Sequence, residues 1–311
     1  MDAATLRQHS RLLVRQLGML DNQCGKMDLT PVEAHTLIEL DDLTLSVDDI
    51  MQRLRIDKTA ASRTLAILLN QGLVSRHACT AQPSSHDHSP PSAHQQGYQL
   101  TPAGQHKLTT LHQQLNQQVE GFLAQLDSDE ITQLGTSLSR YIKAMQTTEA
   151  QHGYTLRLLT PLDNAAMAAV VRRVSAEFGL TPDKGYGVAD PTLDCLSEVY
   201  RDENCAYWVI EKDNRILGGG GIAPLAGEPG VCELQKMYFL PALRGKGFAR
   251  RLTATALKFA RQHGFDACYL ETTACLQAAV RLYEDMGFAP IPHALGNTGH
   301  DACEIRLLKA L

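Results

Sequence analysis

The spacing of hydrophobic positions changes near residue 150. Before it, apolar residues recur every three to four positions, the step that lines one face of a helix. Ala4 to Leu20 reads as an amphipathic helix. Thr30 caps a second from Pro31 to Leu40, Ser46 a third from Val47 to Leu54, and Asp57 a fourth from Lys58 to Gln71, closed by Gly72. Gln105 to Met145 reads as a long helix pair. Its stripe of Leu108, Leu111, Leu115, Val119 and Phe122 is either a partner surface or ordinary core packing.

After a short hinge, Glu149 to Gly153, strands are interleaved with helices. Tyr154 to Leu159, Ala206 to Glu211, Ile216 to Ile222, Val231 to Leu240 and Ala267 to Thr272 read as strands. Pro161 to Leu180, Gly247 to His263 and Leu276 to Met286 read as helices, the last two stopped by Gly264 and Gly287. A chain of 311 residues is long enough for two domains, each with its own core, and the change of pattern divides them into 1–150 and 151–311.

The strand Val231 to Leu240 ends at Pro241, which has no N–H to give a ladder, and Arg-Gly-Lys-Gly-Phe-Ala from Arg244 then leads straight into a helix. Gly245 and Gly247 leave backbone amides bare where that helix begins, so free donors meet the positive end of its dipole. Arg244, Lys246, Arg250 and Arg251 add charge for phosphate oxygens. The segment is either a pyrophosphate cradle or a tight turn before a solvated basic helix. It has neither the Gly-Lys-Ser/Thr of a P-loop nor the third glycine and distal acid of the dinucleotide fingerprint.

Arg244, Gly247 and Ala249 resemble the Arg/Gln-x-x-Gly-x-Gly/Ala loop of the Gcn5-related N-acetyltransferases (GNAT). Ala278 to Phe288, AAVRLYEDMGF, resembles that family's Ala-x-x-Leu-Tyr-x-x-x-Gly-Phe helix, and the likeness runs from Tyr154 to the C-terminus. It implies an α/β fold with a mixed central sheet. It also implies acetyl-CoA as cosubstrate, held by Met237, Tyr238 and Phe239 of the strand and by Arg244, Gly245, Lys246, Gly247, Phe248, Ala249 and Arg250 of the loop. Tyr283 is then the general acid toward the coenzyme A sulfur, since a phenol of ordinary pKa about 10 stays protonated; its other reading is a core aromatic. Glu233 stands where family members draw the amine proton through a water, or else is a solvated edge carboxylate. Strand alternation puts Glu233, Gln235, Met237 and Phe239 on one face, with Gln235 a step nearer the acetyl group. Glu271 is a second carboxylate candidate, or holds a loop. The acceptor side is expected from Gly179 to Asp194 and from Gly296 to Asp301, where His300 is a substrate contact or a surface histidine.

In the other half, a turn of about 100° per residue puts Lys58, Thr59, Ser62 and Arg63 on one arc of their helix, opposite Ala61, Thr64, Leu65 and Leu68. Small hydroxyls and cations near a helix N-terminus suit base edges and phosphates. The formal charge is −5, and residues 1–150 hold 12 Lys and Arg against 16 Asp and Glu, so any basic footprint must be local. Arg53, Arg55, Lys58, Arg63 and Arg76 supply one, against Asp57 alone. IDKTAASRTLAILLNQGLVSR, followed by YQLTPAGQ, resembles the MarR family of winged helix-turn-helix regulators. That implies double-stranded DNA contacted by Lys58, Thr59, Ser62, Arg63 and Arg76. It also implies a homodimer through Ala4 to Leu20 and Leu108 to Met145.

The wing departs from the family pattern. HACTAQPSSHDHSPPSAHQQG, from His77, is long and lacks the Asp-Arg-Arg type tip with which members of that family enter the minor groove, a departure that bears on the affinity or the salt dependence of DNA binding. Its His77, Cys79, His86, His88 and His94 match no structural zinc spacing, so no metal is expected, and their protonation offers a way to charge the wing at low pH. The 8 cysteines form no Cys-x-x-Cys and read as reduced thiols, while no apolar run approaches the roughly 18 residues of a membrane span. A cytoplasmic protein is the expectation. Its function is expected to be N-acetyl transfer to a small amine or amino-acid-like acceptor beside a DNA-binding regulator, the alternative being a regulator whose second half only senses acetyl-CoA or another ligand.

Overall fold

The computed structural model describes residues 2–24, 27–78, 96–181, 187–296, 298 and 303–311. It divides into two compact units, Met1–Gly135 and Thr136–Leu311.

The first unit is helical with one hairpin. Helices α1 (Ala3–Gln16), α2 (Pro31–Glu39), α3 (Val47–Leu54) and α4 (Lys58–Asn70) precede strands β1 (Val74–Ala78) and β2 (Gln96–Leu100), then α5 (Pro102–Leu123) and α6 (Ser128–Ala150). The caps read from sequence form: Thr30 and Glu33, and Ser46 and Asp49, make reciprocal capping boxes, and the Asp57 carboxylate accepts from the Ala60 amide at 2.8 Å. Leu37, Ile50, Leu65 and Leu68 are fully buried between α2, α3 and α4, and β1 and β2 pair antiparallel as a wing with Val74 opposite Leu100. The stripe on α5 splits in two. Leu108 and Leu111 are core, whereas Val119 and Phe122 are exposed. Neither α1 nor α6 buries a single residue, and the unit boundary falls inside α6. Most of the wing's His-rich tract, including Cys79, His86, His88 and His94, lies outside the described residues; His77 is exposed.

In the second unit β3 (Thr155–Leu158) is followed by α7 (Asn164–Glu177), the single-turn α8 (Leu196–Val199), and strands β4 (Ala206–Lys212), β5 (Arg215–Pro224) and β6 (Val231–Phe239). Helix α9 (Phe248–Gln262), β7 (Ala267–Thr272), α10 (Gln277–Asp285), β8 (Ala289–Pro290) and β9 (Ile305–Ala310) complete it. The seven strands lie in the order β3-β4-β5-β6-β7-β9-β8, antiparallel except for β6 with β7, so the sheet is mixed as expected. Two cores cover its faces: Trp208, Ile210, Leu234 and Phe248 lie on the α9 side, and Tyr207, Val209, Met167 and Val174 on the α7 side.

The expected alternation along β6 fails. Gly219 pairs with Tyr238 but Gly221 pairs with Gln235, so β6 holds one residue more than β5 over this stretch. Lys236 absorbs it with φ 49°, in the left-handed region. Every side chain beyond the bulge therefore changes face. Cys232 and Leu234 before it, and Met237 and Phe239 after it, all belong to the α9-side core, while Tyr238 and Leu240 turn to the α7 side. Glu233 and Gln235 thus face away from Met237. Gly220 makes the bulge possible, because a Cβ there would sit 2.0 Å from the Met237 sulfur.

The edge of the sheet is pinned electrostatically. Arg157 donates to Asp163 at 2.7 and 2.9 Å and to Glu211, and the Thr160 amide adds a bond to Asp163 at 2.8 Å. The Arg157 guanidinium holds this buried carboxyl down, to about 2. A folded pKa below the unfolded one stabilises above about pH 4, and that stabilisation is lost as pH falls toward 2. Asp163→Asn is expected to cost up to about 2 kcal/mol at pH 7, read as a lower urea midpoint for the second unit. The gap from wild type should close as the pH approaches 2.

Candidate functional site

Strands β6 and β7 pair over Val231–Glu233 and Ala267–Tyr269 only, although both continue. From Leu234 onward the β7-facing backbone groups of β6 have no ladder, and a polar edge of that kind accepts an extended, amide-bearing partner. Met237, Tyr238 and Phe239 lie on this stretch.

Beside it, on the α7 face, runs a chain of polar side chains. The Tyr200 hydroxyl donates to Gln235 Oε1 at 2.7 Å, and Gln235 Nε2 donates to Glu233 Oε2 at 2.6 Å. Glu233 is 4% exposed, so it is not a solvated edge carboxylate. Burial and the charge of Glu271 push it up to about 7, against the opposing effects of Gln235 and Lys236. Lys236 itself reaches Asp190 at 2.7 Å, and its carbonyl accepts from the Tyr207 hydroxyl at 2.9 Å, which locks the bulge. Glu271 accepts from Tyr269 and Thr298, so it does hold a loop. His300 and most of the two expected acceptor loops' central residues, 182–186 and 299–302, lie outside the described residues.

At the far end of β6, Gly247 (φ 75°) caps α9 and Gly245 (φ 75°) precedes it. No side chain caps this helix, and its first ladder bond is Arg251 N–H to Gly247 C=O, which leaves the amides of Phe248, Ala249 and Arg250 without partners among the described residues. Phe248 contributes only its amide, since its ring is buried in the core. The cations are tethered rather than loose. Arg244 is forked onto Glu177, Lys246 donates to the Tyr154 hydroxyl at 2.8 Å, and Arg250 lies 3.4 Å from Asp285.

Sequence reasoning missed what sits behind the loop. Gln151, 8% exposed, donates to the Lys246 carbonyl at 2.8 Å and accepts from Arg251 at 2.9 Å, and a Cβ on Gly247 would fall 2.7 Å from the Thr147 methyl. The last turn of α6 and the residue after it therefore hold the loop's shape. Nothing in the local sequence around Gln151 signals a partner about a hundred residues away.

Tyr283 on α10 is 6% exposed, and its ring lies edge-on to Phe288. Burial, with Cys268 and Tyr238 as polar neighbours, pushes its phenol above the ordinary range. Among the described residues no hydrogen bond to its hydroxyl accompanies that burial.

In the first unit Thr59, Ser62 and Arg63 stand exposed along α4, and Arg76 is exposed on β1. Part of the local positive charge is cancelled: Lys58 pairs with Asp48 at 3.2 Å and Arg53 with Glu39 at 2.9 Å. Arg63 and Arg76 make no ion pair among the described residues.

Comparison with known proteins follows this division. The profile of the acetyltransferase (GNAT) family matches residues 173–288, and that of the MarR family residues 27–87. Over 157 residues the chain is 59% identical to an Escherichia coli protein described as the uncharacterized N-acetyltransferase YjgM, covering 50% of this chain and 94% of that one. The chain belongs to the GNAT family. It is a fusion of a MarR-family domain with a GNAT acetyltransferase domain. A probable N-acetyltransferase, camello, of Xenopus tropicalis is 34% identical over 96 residues, and the GNAT part here spans only 44% of its length. An acetyltransferase of the GNAT family from Staphylococcus aureus has a solved structure that superposes with a TM-score of 0.44 at 16% identity, over 50% of this chain and 98% of that one. Among the described residues no helix is long and apolar enough to cross a membrane, and no His, Cys, Asp and Glu side chains group as a metal site.

The GNAT loop makes a direct prediction. Gly247→Val, which must displace Thr147 and abandon the left-handed turn, and Gln151→Ala, which unties Lys246 from Arg251, should each weaken coenzyme A binding about tenfold or more, equivalent to about 1.4 kcal/mol. Titration calorimetry with the full chain checks this, and unchanged affinity in both variants would refute it.

Proposed function

We propose that the second half transfers the acetyl group of acetyl-CoA to a small amine or amino-acid-like acceptor, and that the first half binds double-stranded DNA as a homodimer in the cytoplasm. The domain division at 1–150 and 151–311 follows the same reading of the sequence pattern, while the compact second unit takes in the C-terminal part of α6. The observation that carries the catalytic half is a buried carboxylate of pKa about 7 on one face of β6 and, on the other, a buried tyrosine that shares the core of Met237 and Phe239 and whose phenol has no hydrogen bond among the described residues. A ligand sensor needs the phosphate loop alone; Glu233 and Tyr283 together favour the enzyme.

The residues divide the work as follows. The amides at the start of α9 hold the pyrophosphate, with Arg244, Lys246 and Arg250 exchanging their protein partners for phosphate oxygens. Amides of Met237, Tyr238 and Phe239 align the pantetheine and meet the oxygen of the acetyl carbonyl as charge develops there. Glu233, ionised above about pH 7, takes the acceptor's proton through a water, with Gln235 and Tyr200 fixing its rotamer. The amine nitrogen bonds to the carbonyl carbon, the carbon–sulfur bond breaks, and the Tyr283 hydroxyl donates to the departing thiolate. Amide and free coenzyme A thiol result.

Rates of coenzyme A thiol release from acetyl-CoA, over a panel of amines, test these roles. Tyr283→Phe is expected to lose roughly 100-fold in kcat with little change in coenzyme A affinity. Wild-type kcat/KM should rise with pH through about 7 because the base must be ionised, and Glu233→Gln should be slow and lose that inflection. Full turnover in either variant would remove the residue from the mechanism.

The DNA reading rests on the polar arc of α4, and the dimer on α6, where Ile131, Leu134, Leu138, Tyr141, Ile142 and Met145 are exposed at helical spacing with 36% or more of each surface accessible. Arg63→Ala and Arg76→Ala should each lower the slope of log affinity against log salt by about 0.9 on duplex DNA. Leu138→Glu should give monomers by light scattering and lose most of the DNA affinity. A dimer that persists with unchanged binding would place the contact elsewhere.

A further inference from the structure

A cation that the transfer chemistry does not use stands on the same face of the sheet as the proposed base. Glu233 pairs with Tyr269, Tyr269 with Leu308, and Glu271 with Arg306, and cross-strand partners share a face, so Glu233, Tyr269, Glu271 and Arg306 project to one side. Ideal strand spacing puts the Cα atoms of Glu233 and Arg306 roughly 12 Å apart. Two long side chains close that to the span of a small molecule.

Arg306 is left incomplete by its surroundings. Its Nε is buried and has no hydrogen-bond partner among the described residues. Among the described residues its nearest carboxylate oxygen, Glu271 Oε1, is 3.9 Å away, too far for a hydrogen bond, and already accepts from the Tyr269 hydroxyl at 2.6 Å. The other Glu271 oxygen accepts from Thr298 at 3.0 Å. The Glu271 oxygens thus accept from Tyr269 and from the loop, and the guanidinium, with 31% of its side-chain surface accessible, has no hydrogen bond to its fork among the described residues. A buried donor without an acceptor is costly, and a planar fork of donors is shaped for a carboxylate.

We infer that Arg306 anchors the acceptor, and that the acceptor is an amine carrying a carboxylate: the carboxylate docks on the guanidinium while the amine lies toward Glu233. The inference rests on the N-acetyltransferase reading and narrows its substrate class. No part of it draws on Lys236, whose ammonium is already satisfied by Asp190 at 2.7 Å.

The test uses the full chain with acetyl-CoA and matched pairs of acceptors, each amino acid beside its own carboxamide, with thiol release followed for wild type, Arg306→Ala and Arg306→Lys. Coenzyme A affinity reports whether each variant is folded. Wild type is expected to prefer acid over amide by at least tenfold in kcat/KM. In Arg306→Ala that preference should collapse to near one through a higher KM for the acid, and Arg306→Lys should restore part of it. Equal rates on acid and amide in wild type, or a preference that survives in Arg306→Ala, would overturn the assignment and make Arg306 structural. Turnover of no amine at all would remove the transferase reading itself, and this inference with it.

Discussion

At Lys236, β6 carries one residue more than β5 can pair, and a lysine held at φ 49° is what absorbs the difference. A left-handed lysine is strained, so the surroundings must hold it: Tyr207 from the carbonyl side and Asp190 from the ammonium side. The gain is geometric. Without the extra residue, Glu233 and Met237 would look the same way, and a carboxylate would lie in the apolar core beneath α9. With it, the same strand presents acid and amide to one face before the bulge and apolar side chains to the other after it. The loss of pairing with β7 beyond Glu233 belongs to the same distortion, because a twisted, bulged strand cannot keep register with a parallel neighbour.

Much of the site was legible because glycines and helix signals write backbone geometry into sequence. Gly245 and Gly247 sit where φ is positive, the helix after them starts where the alternation stops, and Thr30, Ser46 and Asp57 cap the helices they announce. Tyr283 was findable from its helix, which Gly287 terminates. What could not be read was anything set by contacts distant in sequence. No residue type marks Lys236 as left-handed, so strict alternation gave the wrong face for Met237 and Phe239. Gln151 and Lys246 are far apart in sequence, and Arg306 becomes conspicuous only when Glu271 is seen to be occupied. Charge was overstated for a related reason: Lys58 and Arg53 look free in a row of letters, yet each has an acid within reach.

The two halves of the chain use helices in opposite ways. In the second unit α7 and α9 bury their apolar faces on the sheet, and their ends carry polar work. Helices α1 and α6, by contrast, bury no residue and display apolar side chains to solvent. The core of the first unit rests instead on α2, α3 and α4 and the front of α5.

Thr147 and Gln151 precede the first strand of the acetyltransferase sheet, yet one crowds Gly247 and the other ties Lys246 to Arg251. The join between the halves is therefore not an inert spacer. A gene fusion that exchanged the regulatory half at the point where the strands begin would carry away the backing of the phosphate loop, so the portable module starts inside α6. Any lineage that swapped one partner for another would have to keep, or rebuild, that last helical turn.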